Sequence, residues 1–258
     1  MKKVLVKIHG GIGDALIALP VIKKLSESYM VDLVLRDRSK SPVGEWVAEI
    51  IKYNPYINRI IEWHEVMENV KDMRRYDKVV LLAGHLYDQE VYYKDLISRI
   101  DFMGNIAGIT GCNVSDIDIF LTPSENTWAQ NTLKNINNPV IIQPSILRDP
   151  WPNNQGKQIP IDIYPRLFKD FPEITFIGLG TLIFSRNMET IYGDMPDLEN
   201  APNYISMKNK TSIRQAVALL KYSTSHILPD SFLNHASGGF NKKGIVIFGN
   251  TSPQVYGY

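Results

Sequence analysis

Short runs of β-branched residues alternate along the chain with stretches whose apolar positions recur at helical spacing, the alternation expected of parallel α/β architecture. Val4-Leu5-Val6-Lys7-Ile8 reads as a strand and runs into the turn His9-Gly10-Gly11-Ile12-Gly13. A helix is expected over 14–28, with Leu16, Leu19, Ile22 and Leu25 on one stripe and Pro20 within it predicting a kink. A strand over 31–36, a helix marked by Trp46, Val47, Ile50 and Ile51, a strand over 78–82, a helix over 91–106 and a strand over 117–121 complete the first half.

The second half repeats the programme. Strands are expected over 139–143, 174–178, 226–228 and 244–248, and helices over 164–171, 212–222 and 231–238. Between the halves lie a polar helix and the stretch Asn135-Ile136-Asn137-Asn138-Pro139, the best candidate for a boundary. The expected organisation is two Rossmann-like, doubly wound domains, 1–135 and 136–258, facing a cleft.

Composition narrows the classes. The chain has 258 residues, long enough for two domains with real cores, and 28 Lys+Arg against 27 Asp+Glu give a net charge of +1. That balance carries no electrostatic footprint for nucleic acid, and at most peripheral contact with a membrane is expected. The single cysteine, Cys112, excludes an intrachain disulfide framework and a Cys-based zinc cluster. It has no nearby histidine in sequence and reads as structural. The start, MKKVLVKIHGG, interrupts its apolar run with Lys7 and so reads as a strand rather than a signal peptide. No apolar run reaches the roughly 18 residues a bilayer demands. A soluble, cytoplasmic protein is expected.

Two segments carry candidate chemistry. In the first, Gly10, Gly11, Ile12 and Gly13 lie between a strand and a helix, where glycines permit close backbone approach and a helix N-terminus favours anions. Read as a dinucleotide fingerprint, Gly11-Ile12-Gly13 is followed by Leu16 where a third small residue belongs, although Asp37 stands about where a ribose-binding acid would. A P-loop is excluded, since no Gly-Lys-Ser/Thr follows. Asp14 is first of all the expected helix cap, a role compatible with a general base that accepts a proton from a hydroxyl. In the second segment, Pro229-Asp230-Ser231-Phe232-Leu233-Asn234-His235 leads from a strand's carboxyl end into a helix, where doubly wound domains bind ligands. Ser231 and the amides after it could hold a phosphate, and His235 shares the helix face of Ser231. A lone histidine on such a helix is more often a packed, hydrogen-bonded core residue.

Taken together, VLVKIHGGIGDALIALPVIKKL near the start, IIQPSILRDPWP in the middle and PDSFLNHASGGFNKKGIVIFGNTSP near the end resemble glycosyltransferase family 9, the ADP-heptose:lipopolysaccharide heptosyltransferases. The resemblance runs over almost the whole chain at low overall similarity. It rests on Gly13, Asp14 and Pro20, on Asp230, Ser231 and His235, and on their order across two domains. It implies a GT-B fold with the acceptor on the first domain and the nucleotide sugar on the second. It implies that Asp14 is the catalytic base and that Gly11, Ile12 and Gly13 form an acceptor or phosphate loop. Ser145, Arg148, Asp230, Ser231, Phe232, Leu233 and His235 would line the donor site. The implied reaction is an inverting, metal-independent transfer of a heptose-like sugar from a nucleoside diphosphate, ADP favoured, to a glycan or lipid-linked glycan acceptor, with no cofactor. On that reading Asp116-Ile117-Asp118 is an exposed strand face rather than a metal-binding motif.

The chain departs from the family at three positions. Asp149 stands where a phosphate-binding lysine is usual, with Arg148 and Lys157 as neighbouring cations; Phe232 and Ser145 each stand in place of glycine. No acid follows Gly180 in the position expected to grip a donor ribose. These departures keep a nucleotide-sugar-binding protein without transfer activity as an alternative, and the glycine turn keeps an NAD-linked oxidoreductase as a third. Loop residues His85 to Asp88 are candidates for shaping the acceptor site. The chain stops at Gly257-Tyr258, whereas members of the resembled family continue into terminal helices; with these C-terminal helices absent, the sequence is expected to be either a minimal version or one whose C-terminus is missing.

Overall fold

A computed structural model describes residues 1–35, 42–61, 70–82, 97–144, 159–160, 162–180, 198, 200–249 and 251–258. The chain divides into two compact units, one of Met1–Phe120, Gly238–Asn241 and Pro253–Tyr258, the other of Leu121–Ser237 and Lys242–Ser252.

The first unit is built on four parallel strands, β1 (Lys2–Ile8), β2 (Tyr29–Val34), β3 (Arg59–Ile61) and β4 (Lys78–Leu82), in the order β3-β2-β1-β4. Helices α1 (Ile12–Ser26), α2 (Pro42–Ile51) and α3 (Arg99–Ala107) accompany them. Val4, Leu5, Val6 and Ile8 are buried, as a strand covered on both faces requires. Helix α1 runs unbroken through Pro20, although the ring removes a donor from the helix ladder. Every residue from Ala15 to Ile22 is buried, so packing holds it in place. Asp32, in the middle of β2, is buried but paired: it accepts from Asn58 at 2.7 Å, Arg59 at 2.9 Å and Tyr76 at 2.7 Å. Burial alone would raise the pKa of Asp32, and these three donors hold it below the usual carboxylate value.

The stretch 117–121 is not a strand. Ile117 and Ile119 are buried in alternation, but no ladder forms, and Asp116 and Asp118 instead clasp Lys23 at 2.8 and 2.9 Å. Cys112 is buried, which pushes its thiol pKa up, as suits a structural residue.

The second unit has five parallel strands, β5 (Pro139–Ile142), β6 (Thr175–Gly178), β7 (Tyr204–Ser206), β8 (Ser225–Pro229) and β9 (Ile245–Ile247), in the order β7-β6-β5-β8-β9. Its helices are α4 (Pro123–Leu133), α5 (Ile163–Asp170), α6 (Ile213–Tyr222) and α7 (Phe232–Gly239); a short α8 (Pro253–Tyr256) ends the chain within the first unit. Val140, Ile142, Tyr164, Phe168 and Phe176 form the core on one side of the sheet, with the Phe168 and Tyr204 rings stacked at 5.3 Å.

The division at Phe120/Leu121 falls ahead of the 135/136 boundary expected from sequence. The reason is α4. Its Glu125 grips the buried Arg214 of α6 through two bonds of 2.6 and 2.8 Å, and Asn126 accepts from Tyr222 at 2.8 Å. The polar helix thus belongs to the second unit, and the Asn-rich stretch is merely its exit into β5.

Candidate functional site

Both sheets reverse their strand order beside a central strand, at β1/β4 and at β5/β8. In open α/β sheets ligands bind outside the carboxyl ends of strands at such points. Both segments singled out in the sequence lie there.

In the first unit the chain leaves β1 at His9, whose N–H donates to the Leu82 carbonyl at the end of β4 (3.1 Å). Gly10 then adopts a φ of +140°, a conformation open to glycine, and Gly11 is the residue before α1. Asp14 is therefore not the N-cap residue but stands in the first turn. Its carboxylate folds back, and Oδ2 accepts from the Gly11 N–H at 2.9 Å. A side chain on Gly10 would forbid this, because its Cβ would lie 2.2 Å from Asp14 Oδ2. The other oxygen, Oδ1, accepts from Arg99 Nη2 at 3.1 Å. Arg99 is 6% exposed at its side chain and Asp14 29%, so the cation is enclosed while the carboxylate keeps an open side.

This arrangement bears on two of the sequence readings. The glycine turn cannot cradle a phosphate through the Gly11 amide, since Asp14 already occupies that donor and its charge repels an anion. That counts against any reading in which the Gly11 amide itself holds a phosphate, the dinucleotide fingerprint included. What the turn presents is a held carboxylate.

In the second unit β8 ends at Pro229, and Asp230 and His235 are both buried, with His235 Nε2 3.9 Å from Asp230 Oδ1. His235 thus points into the protein beside a carboxylate, in the manner of a packed histidine. Ser231 is half-buried, and its hydroxyl donates to Gln143 Oε1 at 2.7 Å. Gln143 directly follows β5, so this bond joins the carboxyl ends of the two central strands. The amides of Phe232 and Leu233 fall in the first turn of α7, where helix geometry supplies no acceptor within the helix. Leu233 is buried and Phe232 half-buried. Gly180 follows β6, with open space where a Cβ would project, and its carbonyl accepts from Asn209.

Ser145, Arg148, Asp149, Lys157, Asp37 and residues His85 to Asp88 lie outside the described residues. Asp116 and Asp118 are taken up by Lys23, and among the described residues no group of three or more His, Cys, Asp or Glu side chains could hold a metal ion. Among the described residues no helix is long and apolar enough to cross a membrane.

Two residues at these turns were missed by sequence reasoning. Gln143 passed as the end of a strand. Arg99 had a signal, because it stands four and eight residues before Met103 and Ala107, all three buried on one stripe of α3. An arginine on an apolar stripe marks a buried charge that needs a partner.

No family model matches the chain, and no curated protein matches it. Solved structures do. A family 9 glycosyl transferase from Veillonella parvula DSM 2008 is 16% identical with a TM-score of 0.72, covering 99% of this chain and 84% of its own. The E. coli ADP-heptose LPS heptosyltransferase II is 14% identical with a TM-score of 0.60, covering 99% of this chain and 87% of its own. An E. coli heptosyltransferase solved with ADP is 15% identical, with a TM-score of 0.60 and coverages of 99% and 90%. The chain shares the fold of these glycosyltransferases over nearly its whole length.

Proposed function

We propose that the protein is an inverting, metal-independent glycosyltransferase, moving a heptose-like sugar from a nucleoside diphosphate to a glycan or lipid-linked glycan acceptor. The observation that carries this reading is the Asp14 carboxylate, held at the end of the central strand of the first unit with one side open. A base so placed can take the proton from an acceptor hydroxyl as its oxygen attacks the anomeric carbon. The bond from that carbon to the diphosphate breaks, the configuration inverts and the nucleoside diphosphate leaves with the electron pair. In the second unit the Ser231 hydroxyl can turn its proton from Gln143 to a phosphate oxygen, and the first amides of α7 can stabilise the departing charge. Shared fold with proteins whose names specify ADP-heptose supports an ADP-linked donor. Fold alone does not decide activity, and the site residues bear the weight.

The test has two stages. A thermal-shift panel of ADP, UDP, GDP, CDP and NAD should raise the melting temperature most with ADP and leave it unmoved with NAD. ADP-heptose with lipopolysaccharide-type acceptors should then give a product of inverted anomeric configuration by NMR, at a rate unchanged by EDTA. Retention of configuration, or loss of rate on chelation, overturns the mechanism. A second reading, binding of nucleotide sugars without transfer, is favoured by Phe232, a bulky side chain at the first position of α7 where the resembled family has glycine. ADP binding with no turnover of any activated sugar would select it.

A further inference from the structure

We propose that Arg99 positions the Asp14 carboxylate for proton abstraction, a role that rests on the glycosyl-transfer reading above. Asp14 projects from the first turn of α1 and is tethered locally by one bond, from the Gly11 N–H to Oδ2. One bond to one oxygen leaves the plane of the carboxylate able to swing. The second bond, from Arg99 Nη2 to Oδ1, comes from a helix 85 residues away in sequence and fixes that plane. Holding a reacting group in one geometry is itself a large part of catalysis.

The placement of Arg99 is not what stability alone would choose. Its side chain is 6% exposed, on the stripe of α3 shared with Met103 and Ala107, where an apolar residue would avoid the cost of burying a guanidinium. The Phe102 ring, 5.7 Å from the guanidinium carbon, flanks it. The two exposures are unequal, so the carboxylate can meet a hydroxyl from the open side while the cation holds it from the enclosed side. Lysine would supply the charge from a flexible stem without the planar fork.

The test uses the full chain with Arg99→Met and Arg99→Lys, reading steady-state kinetics, ADP affinity and hydrogen exchange at the Gly11 amide. Arg99→Met should lower kcat about 100-fold while KM for both substrates and the Kd for ADP move less than about threefold. Arg99→Lys should recover roughly tenfold of that loss, since charge returns without the fork. Loss of the clamp should also speed exchange of the Gly11 amide about tenfold, because its carboxylate acceptor is no longer held. If Arg99→Met fails to fold, Arg99→Lys alone must show the kcat loss at unchanged KM. An unchanged kcat, a parallel loss of kcat and ADP affinity, or unmoved Gly11 exchange each overturns the role. A wild-type protein that transfers no sugar overturns the transfer reading and this role with it. Gly11 exchange then still reports whether Arg99 holds the carboxylate, which distinguishes that failure from the others.

Discussion

The turn after β1 and the turn after β8 both lead from the carboxyl end of a strand beside a sheet's reversal point into a helix, yet they present opposite chemistry. At the first, the helix N-terminus is closed by the protein's own carboxylate, with Asp14 on the Gly11 amide and Arg99 on the other oxygen. At the second, the carboxylate of Asp230 is turned inward beside His235, and a hydroxyl, Ser231, stands at the helix start instead. The same dipole thus meets the protein's own carboxylate in one unit and a neutral hydroxyl in the other.

The difference comes down to one residue type at each turn. Gly10, lacking a Cβ and held at positive φ, gives the Asp14 side chain room to fold back. Asp230 lies before the helix rather than in its first turn, and its carboxylate finds His235 within the fold. The place of the acid relative to the helix start, the third residue of α1 against two residues ahead of α7, decides whether it serves the helix or the interior. Each unit thus presents its own chemistry at a strand-end turn, a held carboxylate in the first and a hydroxyl beside the first helix amides in the second.

The contrast breaks most visibly at Asp14. Asp14→Asn keeps a side chain able to accept from the Gly11 amide but cannot take a proton, and should lower kcat on the order of 1,000-fold. On the proposed assignment of the donor to the other turn, ADP affinity should stay within about twofold. Turnover kinetics beside calorimetric titration read both, and retained turnover would remove Asp14 from the chemistry. Next in size is Gly10→Ala, whose methyl would collide with Asp14 Oδ2 in a backbone conformation unsuited to alanine. We expect a loss of stability of about 1–3 kcal/mol in urea melts. A fall in kcat of about 100-fold should accompany it, as the carboxylate is displaced.

How far these turns were legible in sequence follows from what each demanded of its residues. The central strands were readable because buried parallel strands need unbroken apolar runs, as in Val4-Leu5-Val6 and Val140-Ile141-Ile142. β3 and β7 have three residues each, too few to show a period of two, and neither was expected. The 117–121 stretch alternates like a strand, but alternation records burial rather than pairing. Asp14 and Ser231 could be singled out as candidates because glycine turns and strand ends are marked by composition. The apolar stripe of α3 marks Arg99 as a buried charge in need of a partner, but that partner is 85 residues distant and no local pattern names it.

Ser231→Ala sharpens the second turn. Removing the hydroxyl leaves the α7 amides in place, so the helix start should still bind the diphosphate, more weakly. The expected change is a rise of roughly tenfold in the Kd for ADP, equivalent to about 1.4 kcal/mol, the scale of one hydrogen bond to a charged group. kcat at saturating donor should fall by less than about fivefold. A kcat loss as deep as that of Asp14→Asn, at unchanged ADP affinity, would assign Ser231 to the chemical step and erase the distinction between the turns.

The smallest effect on transfer is expected at Glu125, which serves the second unit far from its ligand turn in sequence and role. Arg214 beside Glu125 holds its carboxyl well below the ordinary 4.5, at about 2, with the Thr122 amide and hydroxyl also donating to it. A carboxylate with a depressed folded-state pKa contributes stability that is complete above the unfolded value. That contribution fades as pH falls from about 4.5 towards 2, and at most roughly 3 kcal/mol is at stake. Glu125→Gln removes the titrating group and leaves Arg214, 4% exposed, with a neutral partner. Urea melts should show the variant less stable by about 2–3 kcal/mol at pH 7. The gap to the wild type should narrow steadily below pH 4.5, because acid abolishes the same ion pair. Below its melting temperature the variant should transfer sugar within about twofold of the wild-type rate, since α4 touches neither turn through this pair. A deep loss of turnover in a folded Glu125→Gln protein would mean that the α4–α6 clamp sets the geometry of Ser231, and the second turn would then be no more self-contained than the first.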